Sequence, residues 1–393
     1  MTKKTVKFLP AILAASVLSL TSCDKNELET MQEETATSQS LQNAPGTADG
    51  GDYIVVLKDG QFASDEQMQD QARTLMGQDK NTLDLKNFKS LAGLKGFATK
   101  LSAEEVNQLK NDSRVAYVER DQPIQLHSAA TTTTTMAASS TQTLSWGVNK
   151  VGSGNAATNG RTAWIIDSGI QLDHPDLNVD VARSKSFVSG TTSPNDEFGH
   201  GTNVAGILGA KDNSFGVKGV AAGAKLVSLR VMNASGAGTV SSTVAALMHV
   251  YKYGKAGDVV NLSLGASPSL SLDNAVKYVA NKGIHVVIAA GNSNANAANY
   301  SPARLNYTRV YTISGMRADN SFMGISNWGS PVDFTAPGTG LRSTKKGSGY
   351  GSVGGTSMAA PHVAGILLLK GTVASQGYVT GDPDGKADKI AKL

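Results

Sequence analysis

Apolar and polar positions divide the chain into a short N-terminal unit and a longer C-terminal one. From Tyr53 the pattern predicts an alternating strand, YIVVLK, then a helix over DEQMQDQARTLM and a strand pair in FKSLAGLKGFATKL. A second helix, SAEEVNQLKND, follows, in which Ser102 and Glu105 fit a capping box, and the strand VAYVERDQPI closes the unit. The order βαββαβ predicts a small α+β domain of the ferredoxin-like kind.

From residue 144 onward, short apolar strands alternate with helices. The strands are RTAWIID, AKLVSLRVM, DVVNLSL and HVVIAAGN, and the helices include TVSSTVAALMHVYKYGK and SLDNAVKYVANKG. Fully apolar strands separated by helices predict an α/β fold, with a mostly parallel sheet covered by helices on both faces. Catalytic groups in such sheets gather at the carboxyl ends of the strands.

The first 50 residues have no core-forming pattern. Three lysines precede the apolar run FLPAILAASVLSL, which is too short for a spanning helix and predicts a signal peptide over residues 1–22, so the protein is exported. Residues 23–50 are polar and acid-rich, which predicts a solvated tether. The run HSAATTTTTMAASSTQT predicts an exposed linker over residues 128–143 that is easily cut.

The single cysteine, Cys23, directly follows the apolar run in LTSC, and no disulfide can form within the chain. It is either an accidental residue near a cleavage site or a modified one. LTSC at this position resembles the lipobox of bacterial lipoproteins, which implies a lipid on Cys23 and a membrane-anchored precursor.

Composition narrows the class of protein further. The chain has 393 residues, 40% of them hydrophobic, which is enough for a large core and more than one folded part. The chain has 36 Lys and Arg residues and 32 Asp and Glu residues. A net charge of +4 spread over this length does not indicate a surface that binds nucleic acid.

Three motifs carry polar groups that packing does not require. Asp167 ends the apolar strand in AWIIDSGI, His200 lies in FGHGTNVAG, and Ser357 lies in GGTSMAAPHVAG, the last two at predicted helix starts. Each alone has an ordinary interpretation, as a turn aspartate, a polar filler or a helix cap. Together they supply a nucleophile, a base that takes its proton, and a carboxylate that orients the base.

The other histidines are weaker candidates for the base. His127 belongs to the linker region, and His174 lies in the turn DHPDL. His249 and His285 have apolar surroundings typical of a core role, and His362 lies inside the helix after the serine. The glycines around His200 and before Ser357 leave space for a peptide backbone.

The three motifs, in this order, closely resemble those of the subtilisin-like serine proteases over residues 144 to about 375. The order Asp, His, Ser is that of subtilisin itself. The resemblance implies that Asp167 is the carboxylate that orients His200, that His200 is the general base and acid, and that Ser357 is the nucleophile. It also implies that Asn292, in IAAGNSN, is the side-chain oxyanion donor, with the backbone N–H of Ser357 as the second donor.

The same resemblance implies a substrate cleft. SGAG resembles the strand that pairs with the substrate backbone, and SLGA and AAG resemble the walls of the primary specificity pocket. Small apolar walls favour bulky apolar side chains with broad tolerance. The implied substrate-binding residues are Gly236, Ala237, Gly238, Ser263, Leu264, Gly265, Ala289, Ala290 and Gly291.

Two residues depart from the family pattern, and a third residue, Asp333, suggests a metal site. Asn203 stands where many members have a second histidine, and Trp164 is bulky for its strand. NYSPARLNYTRVYTISG and GSPVDFTAPGTG look most like the proteinase K branch, where Asp333 matches an aspartate that holds a structural calcium ion; the alternative is a turn aspartate. The chemistry itself requires no cofactor.

Residues 51–127 resemble the inhibitor-type prodomain of these proteases, especially in GFATKLSAEEV and VAYVERD. Such a prodomain assists folding and occupies the cleft until it is removed; the alternative is an unrelated binding module. Residues 144–393 are then the protease domain.

The resulting hypothesis is a monomeric serine endopeptidase made as a zymogen, which cuts polypeptides through an acyl-enzyme. The mature enzyme is expected in the periplasm or outside the cell. A catalytically inactive, peptide-binding relative is the first alternative. A lipase or esterase is the second, although GGTSMAA lacks the G-x-S-x-G pattern of those enzymes.

Overall fold

The computed structural model describes residues 49–58, 64–77, 89–126, 141–156 and 160–393. Cys23, the signal peptide, His127, most of the tether and most of the linker lie outside the described residues. Within the described ranges, no helix combines the length and the apolar character needed to cross a membrane.

The N-terminal sheet is antiparallel, with strands in the order β2-β3-β1-β4, and the predicted βαββαβ order is confirmed. Ser102 and Glu105 form the predicted capping box at 3.2 and 2.8 Å. The elements are β1 (Gly51–Leu57), α1 (Asp65–Met76), β2 (Lys89–Leu91), β3 (Gly96–Leu101), α2 (Ala103–Lys110) and β4 (Val115–Arg120), with a 3-10 helix at Ala92–Leu94.

Burial along β1 differs from the predicted alternation, because its apolar side chains are buried on both faces. Val55 and Leu57 face a core shared with α1 and α2. Ile54 and Val56 belong to a second core, which includes residues of the C-terminal part of the chain. The N-terminal sheet is therefore sandwiched, and its strand is apolar at consecutive positions.

The main sheet has strand order β18-β19-β15-β14-β13-β12-β7-β10-β8 in the described residues, and only β18 and β19 pair antiparallel. The predicted parallel α/β fold is confirmed. Its strands are β7 (Thr162–Asp167), β8 (Lys185–Ser186), β10 (Lys225–Arg230), β12 (Val259–Leu262), β13 (His285–Ala289), β14 (Val310–Met316), β15 (Val332–Pro337), β18 (Ala374–Tyr378) and β19 (Lys389–Lys392).

Smaller elements surround the main sheet. Its helices are α3 (Trp146–Val151), α4 (His200–Gly209), α5 (Val240–Tyr253), α6 (Leu270–Asn281) and α7 (Thr356–Lys370). The remaining elements are the strand pairs β5 (Pro123–Gln125) with β11 (Ala237–Thr239), β6 (Gly154–Asn155) with β9 (Ala221–Ala222), and β16 (Leu341–Lys345) with β17 (Gly349–Val353), and 3-10 helices at Val181–Arg183 and Ala297–Asn299.

Successive residues of β7 enter two different cores, which places helices on both faces of the main sheet. Trp164 and Ile166 pack in the core that contains residues of α5 and α6. Ala163 and Ile165 pack in the core that contains residues of α4 and α7. Trp164 is the residue that the sequence analysis found bulky for its strand. Its indole N–H donates to Asp258 Oδ2 at 3.0 Å, so the side chain is buried with its polar group hydrogen-bonded.

Candidate active site

Asp167 and His200 form a buried pair at the carboxyl end of β7. His200 Nδ1 lies 2.8 Å from Asp167 Oδ1 and 3.0 Å from Oδ2, and the residues are 4% and 0% exposed. The backbone N–H of Ser168 donates to Asp167 Oδ1 at 2.7 Å and fixes the carboxylate. Because Nδ1 donates to the carboxylate, the neutral ring keeps its acceptor at Nε2.

The surroundings of His200 shift its pKa in opposite directions. Burial lowers the pKa, whereas the charge of Asp167, the hydrogen bond to it and the charge of Asp196 raise it. The attraction prevails, and the pKa of His200 lies above its ordinary value.

Each of the two glycines that flank His200 is required for a different structural reason. Gly199 caps α4 with φ of 110°, in the left-handed region that favours glycine. A Cβ at Gly201 would collide with the carbonyl oxygen of Gly169, in the loop that follows β7. The helix can therefore bring His200 against Asp167 only with glycine at position 201.

Asp196 is a second buried carboxylate beside this pair, which the sequence interpretation did not single out. It accepts hydrogen bonds from Ser168 Oγ at 2.9 Å and from the N–H and hydroxyl of Thr202 at 2.9 and 2.6 Å. It also accepts from the Gly199 N–H at 2.7 Å. Asp196 thus ties the residues next to Asp167 to the first turn of α4; its only sequence signal is its place four residues before His200.

Ser357 is the second residue of α7, after Gly355 with φ of 113°. Its hydroxyl donates to the carbonyl oxygen of Ser263 at 3.2 Å, and Ser263 Oγ donates to the carbonyl oxygen of Ser357 at 2.7 Å. In the described part of the chain, the Ser357 hydroxyl therefore makes its hydrogen bond with Ser263 and not with His200.

Asn292 lies in the loop after β13 with an exposed side chain. Its Oδ1 accepts from the N–H and the hydroxyl of Thr356 at 2.9 and 3.1 Å. Because Thr356 precedes the candidate nucleophile, these bonds hold Asn292 beside the start of α7. They occupy the acceptor and leave the Nδ2 donors for another group.

The predicted substrate strand is occupied by the end of the N-terminal unit. β5 pairs antiparallel with β11, with Gln125 opposite Ala237 and Ile124 opposite Gly238. The Leu126 N–H donates to the carbonyl oxygen of Gly236 at 2.8 Å. The predicted continuous strand VAYVERDQPI is in fact broken between β4 and β5.

The predicted pocket walls flank the ends of β12 and β13. Ser263 and Leu264 are 1% and 5% exposed, and Gly265 is exposed. Ala289 and Ala290 are 6% and 1% exposed, and Gly291 is partly buried. Ser263 exchanges hydrogen bonds with Ser357, and the Gly291 N–H donates to Thr356 Oγ1 at 3.2 Å, so both segments lie beside the start of α7.

Two carboxylates of the N-terminal unit cap the helices α5 and α6. Asp121 accepts from the N–H and hydroxyl of Ser241 at 2.8 and 2.6 Å. Glu119 accepts from the N–H and hydroxyl of Ser271 at 2.9 and 2.6 Å. Burial raises the pKa of both carboxyl groups, although these hydrogen bonds oppose the shift.

The other described histidines contact groups outside this pair. His174 lies by the carbonyl oxygen of Gly349, and His362 Nδ1 is 2.8 Å from the carbonyl oxygen of Met358. Burial lowers the pKa of His249 and of His362 to about 4. Asn203 is buried in α4 and its carbonyl oxygen accepts from Ser343.

Asp333, the expected calcium ligand, accepts one hydrogen bond from the residues that the structure describes. Its Oδ2 accepts from the Thr312 N–H at 2.8 Å, and burial raises its pKa to about 6. The described residues contain no group of three or more His, Cys, Asp or Glu side chains that could hold a metal. The Asp388 carboxylate lies near enough for the charge of Asp333 to raise its pKa, and calcium at Asp333 stays a prediction.

Two known protein families match separate parts of the chain. Residues 159–375 match the model of the Subtilase family, and residues 52–127 match that of Peptidase inhibitor I9. M-protease of Shouchella clausii is 40% identical over 69% of this chain and 68% of its own length. Subtilisin Savinase of Lederbergia lenta is 42% identical over 58% of this chain and 84% of its own length.

A solved structure is also similar. It is a cold adapted subtilisin-like serine proteinase, 32% identical, with a TM-score of 0.55 over 62% of this chain and 96% of that one. The chain belongs to the subtilase family, carries an I9 prodomain and is a serine-type endopeptidase.

Proposed function

We propose that the chain is an exported zymogen of a serine endopeptidase in which Asp167, His200 and Ser357 are the catalytic triad. His200 Nε2 takes the Ser357 proton as Oγ attacks the scissile carbonyl, and then gives it to the leaving amine as the C–N bond breaks. Water then attacks the acyl-enzyme: His200 Nε2 takes a proton from this water and gives it to Ser357 Oγ as the ester C–O bond breaks, which releases the acid product and restores the serine. The observation that carries this proposal is the buried Asp167–His200 pair at 2.8 Å.

Asn292 Nδ2 and the backbone N–H of Ser357 are the proposed oxyanion donors. Asn292 supports this role because Thr356 holds its oxygen and leaves its amide hydrogens available. The small residues around Ser263 and Ala290 support a preference for bulky apolar side chains before the cut. Mass spectrometry of peptides released from a protein mixture tests it, and frequent cleavage after charged residues would contradict it.

Labelling with a fluorophosphonate probe tests the triad directly. The probe should modify Ser357 in the mature enzyme, and peptide mapping should find neighbouring Ser263 unmodified. His200→Ala should abolish labelling while the protein remains folded by circular dichroism. A mature, folded wild-type enzyme without label would instead favour a peptide-binding relative that lacks activity.

The N-terminal unit is proposed to inhibit its own enzyme as a prodomain over residues 51–127. Three observations support this role. First, β5 pairs with β11, and second, Glu119 and Asp121 accept hydrogen bonds at the starts of α6 and α5. Third, Ile54 and Val56 share a core with these helices. A linker at 128–143 would be cut to give a mature, monomeric domain within 144–393. Size-exclusion chromatography tests whether the mature domain is monomeric.

Location follows from a proposed lipid on Cys23. The lipid would stay with residues 23–50 and the prodomain, whereas the triad lies beyond the linker, so cutting and prodomain loss would release a soluble enzyme to the periplasm or the medium. Cell fractionation with an antibody against the region after residue 150 tests this. Processed, active enzyme that remains in the membrane pellet would exclude the release model.

Membership of the proteinase K branch, with calcium at Asp333, is the final part of the proposal. A phylogenetic tree of protease domains tests the branch. For the metal, Ca²⁺ should raise the unfolding temperature of wild type more than that of Asp333→Asn. Equal calcium effects on both would remove Asp333 as a ligand.

A further inference from the structure

We propose that Asn327 is the positioning residue of the oxyanion site: its amide sets the conformation of the loop 290–295 that carries Asn292. This inference rests on the proposed role of Asn292. Asn327 lies in the connection between β14 and β15 and is 1% exposed. It belongs to none of the motifs from which the site was inferred.

The Asn327 side chain makes hydrogen bonds to the backbone on both sides of Asn292. Its Nδ2 donates to the carbonyl oxygen of Ala290 at 2.9 Å. Its Oδ1 accepts from the N–H groups of Ser293 and Ala295 at 2.9 and 3.1 Å. One buried amide therefore joins the segment before Asn292 to the segment after it.

The loop needs such support because β13 ends at Ala289 and Asn292 itself is exposed. Gly291 has φ of 108° and Asn294 has φ of 46°, both in the left-handed region. Uncommon backbone conformations persist where their surroundings hold them. A Cβ at Gly291 would collide with Asn327 Nδ2, so the glycine also lets the amide reach the loop.

Asparagine suits this position because it supplies a donor and an acceptor from one compact group. Aspartate would keep the acceptor for Ser293 and Ala295 but place an oxygen against the carbonyl of Ala290. The expected consequence is a displaced Asn292 Nδ2. Because an oxyanion donor acts mainly on the transition state, such a displacement should lower kcat more than it raises KM.

A double-mutant cycle between Asn327 and Asn292 tests this proposal. The variants are Asn327→Asp, Asn292→Ala and the double variant, each activated by wild-type enzyme in trans, purified and assayed per folded molecule. Asn327→Asp should lower kcat about tenfold with little change in KM, less than the roughly 10²–10³-fold known from removing such a donor in subtilisin. On the Asn292→Ala background, the same substitution should change kcat less than about twofold.

Equal losses of kcat on the two backgrounds, or no loss in the enzyme that keeps Asn292, would overturn the proposal. If Asn292→Ala alone leaves kcat unchanged, the oxyanion assignment fails instead, so the two failures are distinguishable. Asn178→Asp is the matched control, because Asn178 Nδ2 also donates to a backbone carbonyl, that of Gly223, outside the site. It should leave kcat unchanged. Should Asn327→Asp fail to fold, the uncharged Asn327→Ser replaces it in the same cycle.

Discussion

At the scale of single residues, the carboxylates around His200 decide the pH range in which it can act as a base. Asp167 holds Nδ1 directly, and Asp196 lies close enough to add to the charge that raises its pKa. Only the neutral ring accepts the proton of Ser357. A raised pKa therefore moves the loss of activity, which occurs as pH falls, to a higher pH.

The value of kcat/KM should consequently rise with pH through a pKa above the roughly 6.5 of free histidine. Asp196→Asn should shift this limb to lower pH, because it removes a negative charge near the ring. Glu197→Gln is the control; Glu197 pairs with Arg230 at 2.7 Å, and no shift is expected. A flat profile from pH 5 to 8 in an active enzyme contradicts the role of His200.

Short sequence motifs point to the residues proposed to contact substrate, but they do not point to the buried residues that support them. Asp167, His200 and Ser357 stand in short, glycine-rich motifs, and the structure brings Asp167 and His200 into contact. Asp196 and Asn327 resemble ordinary loop residues in the sequence. The roles proposed for them depend on burial and on partners distant in the chain, which local patterns do not encode.

At the scale of elements, the helices α5 and α6 connect the prodomain to the protease. Their N-termini receive carboxylates from the prodomain, and their outer faces share a core with its sheet. The sequence predicted these helices and the prodomain strands from periodicity. It could not show that β1 is covered on both faces or that β5 separates from β4, because both depend on docking.

Removing one of these caps should weaken the hold of the prodomain. Asp121→Ala deletes two hydrogen bonds to Ser241, and loss of a helix cap costs about 0.5–2 kcal/mol. The cut prodomain should then leave the protease roughly 2- to 30-fold more readily, measured by its co-elution with the enzyme over a dilution series.

Asp112→Ala is the control for this experiment. Asp112 belongs to the same unit but pairs with Arg114, two residues away in a turn. It should leave co-elution unchanged. Equal weakening by both substitutions would mean that general destabilisation of the prodomain, and not the cap on α5, explains the effect.

At the scale of the whole molecule, we expect the order of parts along the chain to let the enzyme activate itself. The tail of the prodomain pairs with β11, the predicted substrate strand, and the predicted linker that follows would be the first peptide available to the proposed triad.

The strands β18 and β19 extend the main sheet beyond β15, and nothing in their sequence pattern predicted this. They are short, and β18 is exposed throughout.

Self-processing of the purified precursor tests this account most directly. Wild-type precursor should be cut within residues 128–143, as read by mass spectrometry of the new N-terminus. Ser357→Ala precursor, equally folded by circular dichroism, should remain intact under the same conditions and should be cut when active enzyme is added. Maturation of the Ser357→Ala precursor on its own would contradict the account.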